Sequence, residues 1–261
     1  FTEKFDIKVK FVSIPSLEGI YSHNPPVILI NSLRPAGRQG FTCAHELGHH
    51  VYKHGTKLDE INEKARLNIH EQEYIAECFA GFLLMPQLAI QKAFTIRNWD
   101  YRNPRPVHIY VISHYLGVGY TTLINHMTWS LRLLSHSKAT ILLKSSPKKI
   151  KQKLLNDTCS TDLIVVDRYW IKRAIDMSVD DFILTGKDIK VEGTSIELIH
   201  KAEQTIIKAI CPGILRIFNS KNDWAAFVRV SSRQRGFPCL QQIALSPLGA
   251  NGKKGLRITG F

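Results

Sequence analysis

FTCAHELGHHVYKH, residues Phe41 to His54, is the stretch that most directly predicts the fold and the chemistry of this chain. It contains four of the chain's 11 histidines. His45 and His49 are four residues apart, so on an α-helix they lie about 40° apart around the axis and one turn apart along it. Both imidazoles can then face one metal ion, with Glu46 beside it. This pattern predicts a zinc site in which the glutamate is the general base that activates water.

The residues around the motif predict a helix that packs behind a strand. Val27 to Ile30 form an apolar run between turn-forming residues, which is the pattern of a short buried strand. Apolar residues recur at helical spacing in the motif itself, at Phe41, Ala44, Leu47, Gly48 and Val51. A chance match on a histidine-rich surface helix is the alternative for the bare five-residue pattern. A half-buried helix is what a rigid metal site requires, so this context argues against chance.

Two other histidines of the stretch are poor candidates for a third ligand, which a catalytic zinc needs besides its open position. His50 follows His49 directly and points about 100° away from it on a helix. His54 lies five residues past His49 and off the metal-facing side of a continuing helix. We predict that His54 is a surface or C-cap histidine.

A carboxylate from a second helix is the usual completion of such a site. HEQEYIAECFAGFLLMPQ, residues His70 to Gln87, has the apolar spacing of a helix. Glu73 and Glu77 share one face of it, and the small residues Ala76 and Ala80 would let it approach the first helix closely. Each glutamate could equally be a solvated charge, and spacing leaves both as candidate ligands.

These two blocks resemble the ImmA/IrrE family of bacterial zinc metallopeptidases. The resemblance rests on ILINSLRPAGRQGFTCAHELGHH and EYIAECFAGFLLMP and covers about residues 15 to 130. In the family pattern the ligand glutamate stands three residues before an alanine and thirteen before a proline, which here is Glu73 before Ala76 and Pro86. The family's frequent asparagine falls on Glu77, so the sequence departs from the pattern there. Glu77 is then a partner of a ligand or a competing ligand.

The resemblance implies an endopeptidase that uses Zn²⁺, with ligands His45, His49 and Glu73 and with Glu46 as catalytic base. The implied substrate is a helix-turn-helix transcriptional repressor, cut to relieve repression under DNA damage, phage or mobile-element stress. Candidates for an oxyanion stabiliser are Tyr52, His108 and His114. Two other hypotheses remain: a binding module with a non-catalytic zinc site, and a DNA-binding regulator that uses residues 111–127. Metal-dependent cleavage distinguishes the enzyme from both.

The predicted fold is α+β in three parts. Residues 1–105 are predicted to form a mainly helical, zincin-like metallopeptidase domain with a small sheet. Residues 106–143 form a helix-turn-helix-like element packed on it, with a turn at Gly117. Residues 144–261 form a second, basic α+β domain with a sensory or regulatory role.

Within the last part we predict four local elements. Residues 144–153 are an exposed linker or basic loop. DLIVVD (162–167) and WAAFVRV (224–230) are strands. Residues 195–210 form an amphipathic helix with Ser195 as N-cap.

Charge is distributed unevenly over the chain, whose net charge is +13. Residues 1–130 carry 13 Lys+Arg against 11 Asp+Glu, whereas residues 131–261 carry 22 against 11. A basic half with interspersed aromatic residues predicts single-stranded DNA as an activating partner, through phosphate neutralisation and base stacking. The alternative is a solvated basic surface over packed aromatic residues. The candidate contacts are Lys148, Lys149, Lys151, Arg168, Lys172, Arg173, Arg229, Arg233 and Arg235.

Five scattered cysteines, an odd number, favour reduced thiols in the cytoplasm over a disulfide framework. No apolar run approaches the length of a membrane span, and no signal-peptide pattern opens the chain. We therefore predict a cytoplasmic protein without a membrane partner. The first residue is Phe1 rather than methionine, consistent with residues missing upstream.

Overall fold

The computed structural model describes residues 2–55, 65–156, 161–170, 174–201, 204–221 and 224–232. The helices are α1 (Ala36–Val51), α2 (Ala65–Leu84), α3 (Gln87–Thr95), α4 (Pro106–Leu116), α5 (Tyr120–Asn125), α6 (His136–Leu143) and α7 (Pro147–Leu155), with a 3-10 turn at Thr2–Phe5 and a π-helix at His126–Ser130. The strands are β1 (Lys8–Val12), β2 (Gly19–Ser22), β3 (Val27–Asn31), β4 (Leu163–Val165), β5 (Ile175–Ser178), β6 (Phe182–Gly186), β7 (Lys190–Glu192), β8 (Ile196–Lys201), β9 (Gln204–Ala209), β10 (Gly213–Asn219) and β11 (Trp224–Ser231). The predicted α+β class is confirmed, with a helical N-terminal region and a β-rich C-terminal part.

The N-terminal sheet has the strand order β1-β3-β2 and supports α1. β1 runs parallel to β3, and β2 runs antiparallel to it with Gly19 opposite Ile30. Ile28 and Ile30 of the central strand cluster with Leu47 of α1, which buries the apolar side of that helix on the sheet. The strand predicted at 27–30 is therefore present as β3.

α1 and α2 pack at close range because small residues meet at their crossing. A Cβ atom on Gly48 would lie 3.1 Å from the Cα of Ala76 and 3.2 Å from the ring of Phe79. Ala76 and Ala80 are fully buried. The backbones of the two helices therefore approach closely enough for side chains on both to share one site.

α4 and α5 form the predicted helix-turn-helix element, with Gly117 at φ +71° as the left-handed end of α4. Its turn packs on the start of α1, since a Cβ atom on Gly37 would lie 2.9 Å from the carbonyl oxygen of Val118. Tyr120, the first residue of α5, is buried, and its hydroxyl donates to the carbonyl of Leu142. The first residue of α5 is therefore enclosed within the protein, whereas the next residue, Thr121, is exposed.

Two four-stranded sheets, of order β4-β6-β9-β8 and β5-β11-β10-β7, make up the C-terminal part. They pack face to face through a core that includes Ile183, Ile207, Ile217 and Val228. The strands predicted at 162–167 and 224–230 are present as β4 and β11.

The helix predicted over residues 195–210 is wrong, because this segment forms the antiparallel pair β8 and β9. β9 is buried on both faces: Ile207 points into the core between the sheets, whereas Ile206 belongs to a cluster with Leu155 of α7. A strand buried on both faces has consecutive apolar residues rather than strict alternation. That pattern resembles the apolar spacing of an amphipathic helix, which explains the error.

The loop predicted at residues 144–153 is also wrong, because Pro147–Leu155 is α7. The Ser146 hydroxyl caps this helix by accepting from the Lys149 amide, and proline occupies its first position. Ile150 packs into the helical core and Leu155 packs against the sheet of β9, so two apolar residues are enough to anchor a lysine-rich helix.

Arg97, just after α3, links the helical region to the C-terminal part. Its Nε and Nη2 atoms donate to the two carboxylate oxygens of Asp167 at 2.6 and 2.9 Å, and its Nη1 donates to the carbonyl of Ala93 at 2.8 Å. The Arg97 side chain is only 2% exposed. The domain boundaries predicted at residues 105/106 and 143/144 stay predictions.

By length and composition alone, residues Glu71–Thr95 could cross a membrane. The segment is broken at Pro86, between α2 and α3, and Met85, Ile90 and Phe94 are fully buried in the protein core. The prediction that no apolar run approaches a span is corrected for this segment, of whose most apolar 18-residue window 28% is buried inside the protein. Cytoplasmic location stays a prediction.

Gly81→Ala is expected to destabilise the fold. A Cβ atom there would lie 2.6 Å from Nδ1 of His126, a buried residue whose Nε2 atom lies 3.1 Å from the carbonyl oxygen of Met85. Overpacking costs about 1–3 kcal/mol, whereas replacing a helical glycine by alanine gains about 1 kcal/mol of helix propensity. The cost is expected to be the larger of the two. Urea denaturation measures the free energy of unfolding. Gly186→Ala is the matched control, since nothing lies within 4 Å of its added atom; equal midpoints for both variants would contradict the prediction.

Candidate metal centre

α1 presents two of its histidines at the crossing with α2. The helix begins after Pro35, and its buried residues Ala44, Leu47 and Gly48 hold it between the sheet and α2. His49 is buried among them, while His45 lies one turn earlier and is partly exposed. The motif therefore lies on a half-buried helix, as its apolar spacing predicts.

His45, His49 and Glu73 bring one donor atom each to a common point. The Nε2 atoms of the two histidines are 3.1 Å apart, and the Glu73 carboxylate oxygens lie 3.1 Å from His45 Nε2 and 3.5 Å from His49 Nε2. All three donor atoms lie within 4.8 Å of one another. Zinc bonds of about 2.0–2.1 Å at tetrahedral angles place donor atoms about 3.3 Å apart. Two imidazole nitrogens and one carboxylate at these separations fit Zn²⁺.

Glu77, the competing glutamate, is not part of this group of donor atoms. It lies one turn after Glu73 on α2 and its side chain is exposed. Geometry therefore favours Glu73, in agreement with the residue that the family resemblance assigned.

Of the two predicted alternatives for His54, a surface or a C-cap histidine, the first is wrong, whereas its backbone amide does belong to the motif that caps α1. His54 is only 8% exposed, and its Nδ1 atom lies 2.9 Å from Nδ1 of His49. α1 ends in a Schellman motif: the Lys53 amide donates to the carbonyl of His50, and the His54 amide donates to that of His49. Lys53 adopts the left-handed conformation at φ +56°, which folds His54 back beside His49. A histidine ligand commonly pairs its second ring nitrogen in this way.

Glu46 is 5% exposed and lies next to β2. A Cβ atom on Gly19 would lie 2.3 Å from Cγ2 of Thr42 and 3.1 Å from Oε1 of Glu46, so contact with Thr42 keeps this first residue of the strand small, and the Glu46 carboxylate lies close to it. Gly19 was not among the residues predicted for the site. Its signal was a glycine at a strand end, which often marks a close approach of another group.

Cys43 and the remaining histidines of the motif region have other roles. Burial, and then the nearby Glu46 carboxylate, raise the pKa of the Cys43 thiol, which keeps it protonated. His50 points away from the donor group, as predicted, with Nδ1 at 2.8 Å from the hydroxyl oxygen of Tyr21.

The three candidates for an oxyanion stabiliser are engaged in packing contacts. Tyr52 stacks on His54. His108 stacks on Trp99, and burial together with Arg105 lowers its pKa to about 4. His114 contacts the carbonyl of Tyr110. The structure assigns none of them an oxyanion role.

The nine candidate nucleic-acid contacts are spread over different elements, and four of them (Lys172, Arg173, Arg233 and Arg235) lie outside the described residues. Lys148 and Lys149 are exposed on α7, whereas Lys151 donates to the carbonyl of Thr161. Arg168 donates to the Tyr169 hydroxyl at 2.9 Å. Arg229 on β11 forms an ion pair of 2.7 Å with Asp176.

The basic charge does not lie on the C-terminal sheets, contrary to what the charge of the two halves suggested. Residues 157–232, which contain both sheets, carry ten Lys+Arg against 11 Asp+Glu. Residues 101–156, which contain α4 to α7, carry nine Lys+Arg and no Asp or Glu. Residues 233–261 carry five Lys+Arg and no Asp or Glu, so the excess is shared between the helical region and these last residues of the chain.

Comparison with known proteins bears on the N-terminal half. Residues 2–128 match the family model of a peptidase family described as the IrrE N-terminal-like domain. None of the curated proteins compared with the chain matches it. Among solved structures, it is similar to a cysteine protease inhibitor from Entamoeba histolytica, with 12% identity over 28% of this chain and 98% of that chain. The TM-score of that pair is 0.22, at which a likeness carries no argument.

Proposed function

The chain belongs, through residues 2–128, to the IrrE N-terminal-like family of metallopeptidase domains, and on this premise we propose that it is a zinc-dependent endopeptidase. The observation that carries the proposal is the convergence of His45, His49 and Glu73 on one point beside the buried Glu46. Among the described residues three side chains bring a donor atom to this point, and a zinc held by three protein donors would keep one position for water, as a catalytic zinc requires and a structural zinc does not.

Each residue of the centre has a distinct role in the proposed reaction. His45, His49 and Glu73 would hold the ion, and bound Zn²⁺ would polarise the scissile carbonyl and lower the pKa of the attacking water to about 7. Glu46 accepts the proton of that water and delivers it to the leaving amine. Its burial close to Gly19 restricts the space open to the carboxylate, which favours proton transfer because less of the geometry must be set after the substrate arrives.

The edge of the N-terminal sheet offers a place for an extended peptide. β2 is an outer strand in the order β1-β3-β2, and its first residue Gly19 lies against Glu46. A peptide that adds to a sheet edge is held by main-chain hydrogen bonds and tolerates varied side chains. We therefore propose that the substrate lies along β2 with its scissile bond near Glu46.

The proposed substrate is a helix-turn-helix repressor, cut in the cytoplasm to start a stress or anti-phage response. This part rests on the ImmA/IrrE resemblance of the two sequence blocks and not on the geometry of the centre. Single-stranded DNA is the proposed activating signal, because the chain carries a concentrated positive charge and a protease that acts on a regulator must be idle until signalled.

Metal analysis combined with a cleavage assay tests the proposal. Purified protein should contain about one zinc per chain. Where a small helix-turn-helix repressor is encoded beside it, the protein should cleave that repressor at a single site. A chelator should stop cleavage and added zinc should restore it. Cleavage that persists after complete removal of the metal would overturn the proposal.

A DNA-binding regulator with a structural zinc is the second candidate, and the burial of Tyr120, the first residue of α5, argues against it. The second helix of a helix-turn-helix protein enters the major groove with its N-terminal residues. Tyr120 occupies that position here and is buried against Leu142. Sequence-specific duplex binding without any proteolysis would favour this second candidate.

His54→Ala is expected to lower zinc affinity by about 10- to 100-fold, the usual effect of losing the residue that orients a ligand histidine. The variant removes the group that lies 2.9 Å from His49 Nδ1 and leaves the three donors in place. Competition with a chelator measures the affinity. Lys53→Gly is the matched control, since glycine keeps the left-handed turn. Wild-type affinity in His54→Ala would show that His54 does not position His49.

A further inference from the structure

We infer that single-stranded nucleic acid binds a basic surface formed by the π-helix, α6 and α7, rather than the C-terminal sheets. This surface comprises Trp129, Arg132, His136, Lys144, Lys148 and Lys149. The inference deepens the proposed regulation by supplying its site. Because binding is measured directly, its failure leaves the peptidase proposal untouched.

Charge separation along the chain is the first argument. Nine Lys+Arg and no acidic residue lie between Asp100 and Asp157, whereas residues 1–100 carry 11 of each sign. A stretch of this length without a carboxylate leaves its cations uncompensated by near neighbours in sequence. Such a one-signed surface attracts polyanions and is the electrostatic footprint of a nucleic-acid site.

The cations of the basic surface are exposed and available. Arg132, Lys144, Lys148 and Lys149 are all exposed, and within the described part of the chain none of them lies within 4 Å of a carboxylate. On the C-terminal sheets the arginines are already compensated, as the Arg229–Asp176 pair illustrates. Phosphate binding would therefore displace existing ion pairs at Arg216 and Arg229 of the sheets but none at Arg132, Lys144, Lys148 and Lys149, whereas Lys151 of α7 already lies 3.9 Å from Asp162.

An exposed aromatic pair supplies the surface for bases. Trp129 is 64% exposed, and its ring centroid lies 4.2 Å from that of His136 at an interplanar angle of 67°. Lys144 directly follows α6, eight residues after His136, so the two lie about 12 Å apart along the helix axis and about 80° apart around it. We expect the phosphates next to a base stacked on Trp129 to contact the lysines of this surface.

The same features favour a single strand over a duplex. Stacking on Trp129 requires an unpaired base, since the faces of paired bases are covered by their neighbours. The helix that would enter a duplex groove, α5, has its first residue buried. The basic surface therefore fits an unpaired strand, and either DNA or RNA offers the required phosphates and base faces.

The location connects binding to the metal centre. Trp129 lies three residues after His126, whose ring packs edge-on against Phe82 and leaves no room for a Cβ atom on Gly81. Both contacts are on α2, the helix that carries Glu73. A strand bound at Trp129 is therefore one helical turn from a residue in direct contact with the ligand-bearing helix.

Fluorescence anisotropy with a labelled oligothymidylate tests the inference on the full-length chain. Trp129→Ala should weaken binding about tenfold, which corresponds to the loss of one stacked base. The double variant Lys148→Glu with Lys149→Glu should weaken binding at least as much. Its salt slope should also be shallower, by about 0.7 in log K per log salt for each phosphate that the protein no longer neutralises.

Lys8→Glu with Lys10→Glu is the matched control, because it makes the same change in net charge at exposed positions of β1. Retained binding in this control beside weakened binding in the α7 variant would support the site. Equal weakening in both would show that net charge alone drives binding, and so would overturn it. Unchanged binding in Trp129→Ala would overturn it too, as would equal affinity for duplex DNA or selective binding to anionic lipid vesicles.

Discussion

Glu46→Gln is expected to lower the turnover number by about 10²- to 10⁴-fold, the typical contribution of a general acid–base group, while the zinc content of the protein stays unchanged. Glutamine has nearly the same shape as glutamate but cannot accept the proton of the attacking water. The three donor atoms do not belong to this side chain, so the ion should remain bound. Repressor cleavage under saturating zinc and metal analysis of the same preparation measure the two quantities.

A matched control for Glu46→Gln is Glu197→Gln, the same change at an exposed position of β8. It should retain wild-type cleavage and zinc content. Full activity in Glu46→Gln would remove Glu46 from the mechanism. Loss of zinc in that variant would mean that Glu46 acts on the ion rather than on the proton.

Glu73→Ala is expected to abolish both stoichiometric zinc binding and cleavage. The change leaves two imidazoles, His45 and His49, with Nε2 atoms 3.1 Å apart and no carboxylate to balance the ion's charge. Zinc at 100 times its dissociation constant should stabilise the native protein by about 2.7 kcal/mol. This stabilisation should disappear in the variant, and thermal unfolding with and without zinc measures it.

Glu77→Ala is the matched control on the same helix, since its exposed side chain lies outside the donor group. It should keep both the zinc-dependent stabilisation and cleavage. The opposite outcome, with Glu77→Ala losing both and Glu73→Ala keeping both, would reverse the ligand assignment.

The parts of the site that depend on helix geometry were predictable from sequence. The i, i+4 spacing of His45 and His49 fixes their relative direction on any helix, and the alanines of α2 indicated a close helix crossing. Choosing Glu73 over Glu77 needed the resemblance to a family, because spacing on one helix cannot tell which side chain meets another helix.

Helix geometry alone does not give the position of His54. Five residues past His49, it points away from the metal on a continuing helix but lies beside His49 after a Schellman ending. Glycine or asparagine usually marks the left-handed residue of that ending. Here the residue is Lys53, which carries no such signal, so the helix end and the buried position of His54 could not be predicted locally.

The helix predicted over residues 195–210 was wrong because β9 is buried on both of its faces. β9 lies between the second sheet and α7, so both faces are apolar and its pattern no longer alternates. The prediction for α7 was wrong for a different reason. Four lysines among its nine residues suggested a loop, but Ile150 and Leu155 anchor the segment as a helix.

The positive charge was assigned to the wrong part of the chain because the chain was divided at residue 130, whereas the acid-free stretch crosses that point.

The ion pair of Arg97 and Asp167 limits which recombination events between related genes can produce a stable protein. A buried guanidinium deprived of its carboxylate costs about 3–5 kcal/mol, a large fraction of the roughly 5–15 kcal/mol by which domains are typically stable. Recombination between the codons of these two residues would separate the charges and leave Arg97 buried alone. Exchange of C-terminal parts among related genes should therefore succeed only where the incoming part restores an acidic residue at this position. Without an acidic residue at position 167, the helical region and the C-terminal sheets should be exchanged between genes only together.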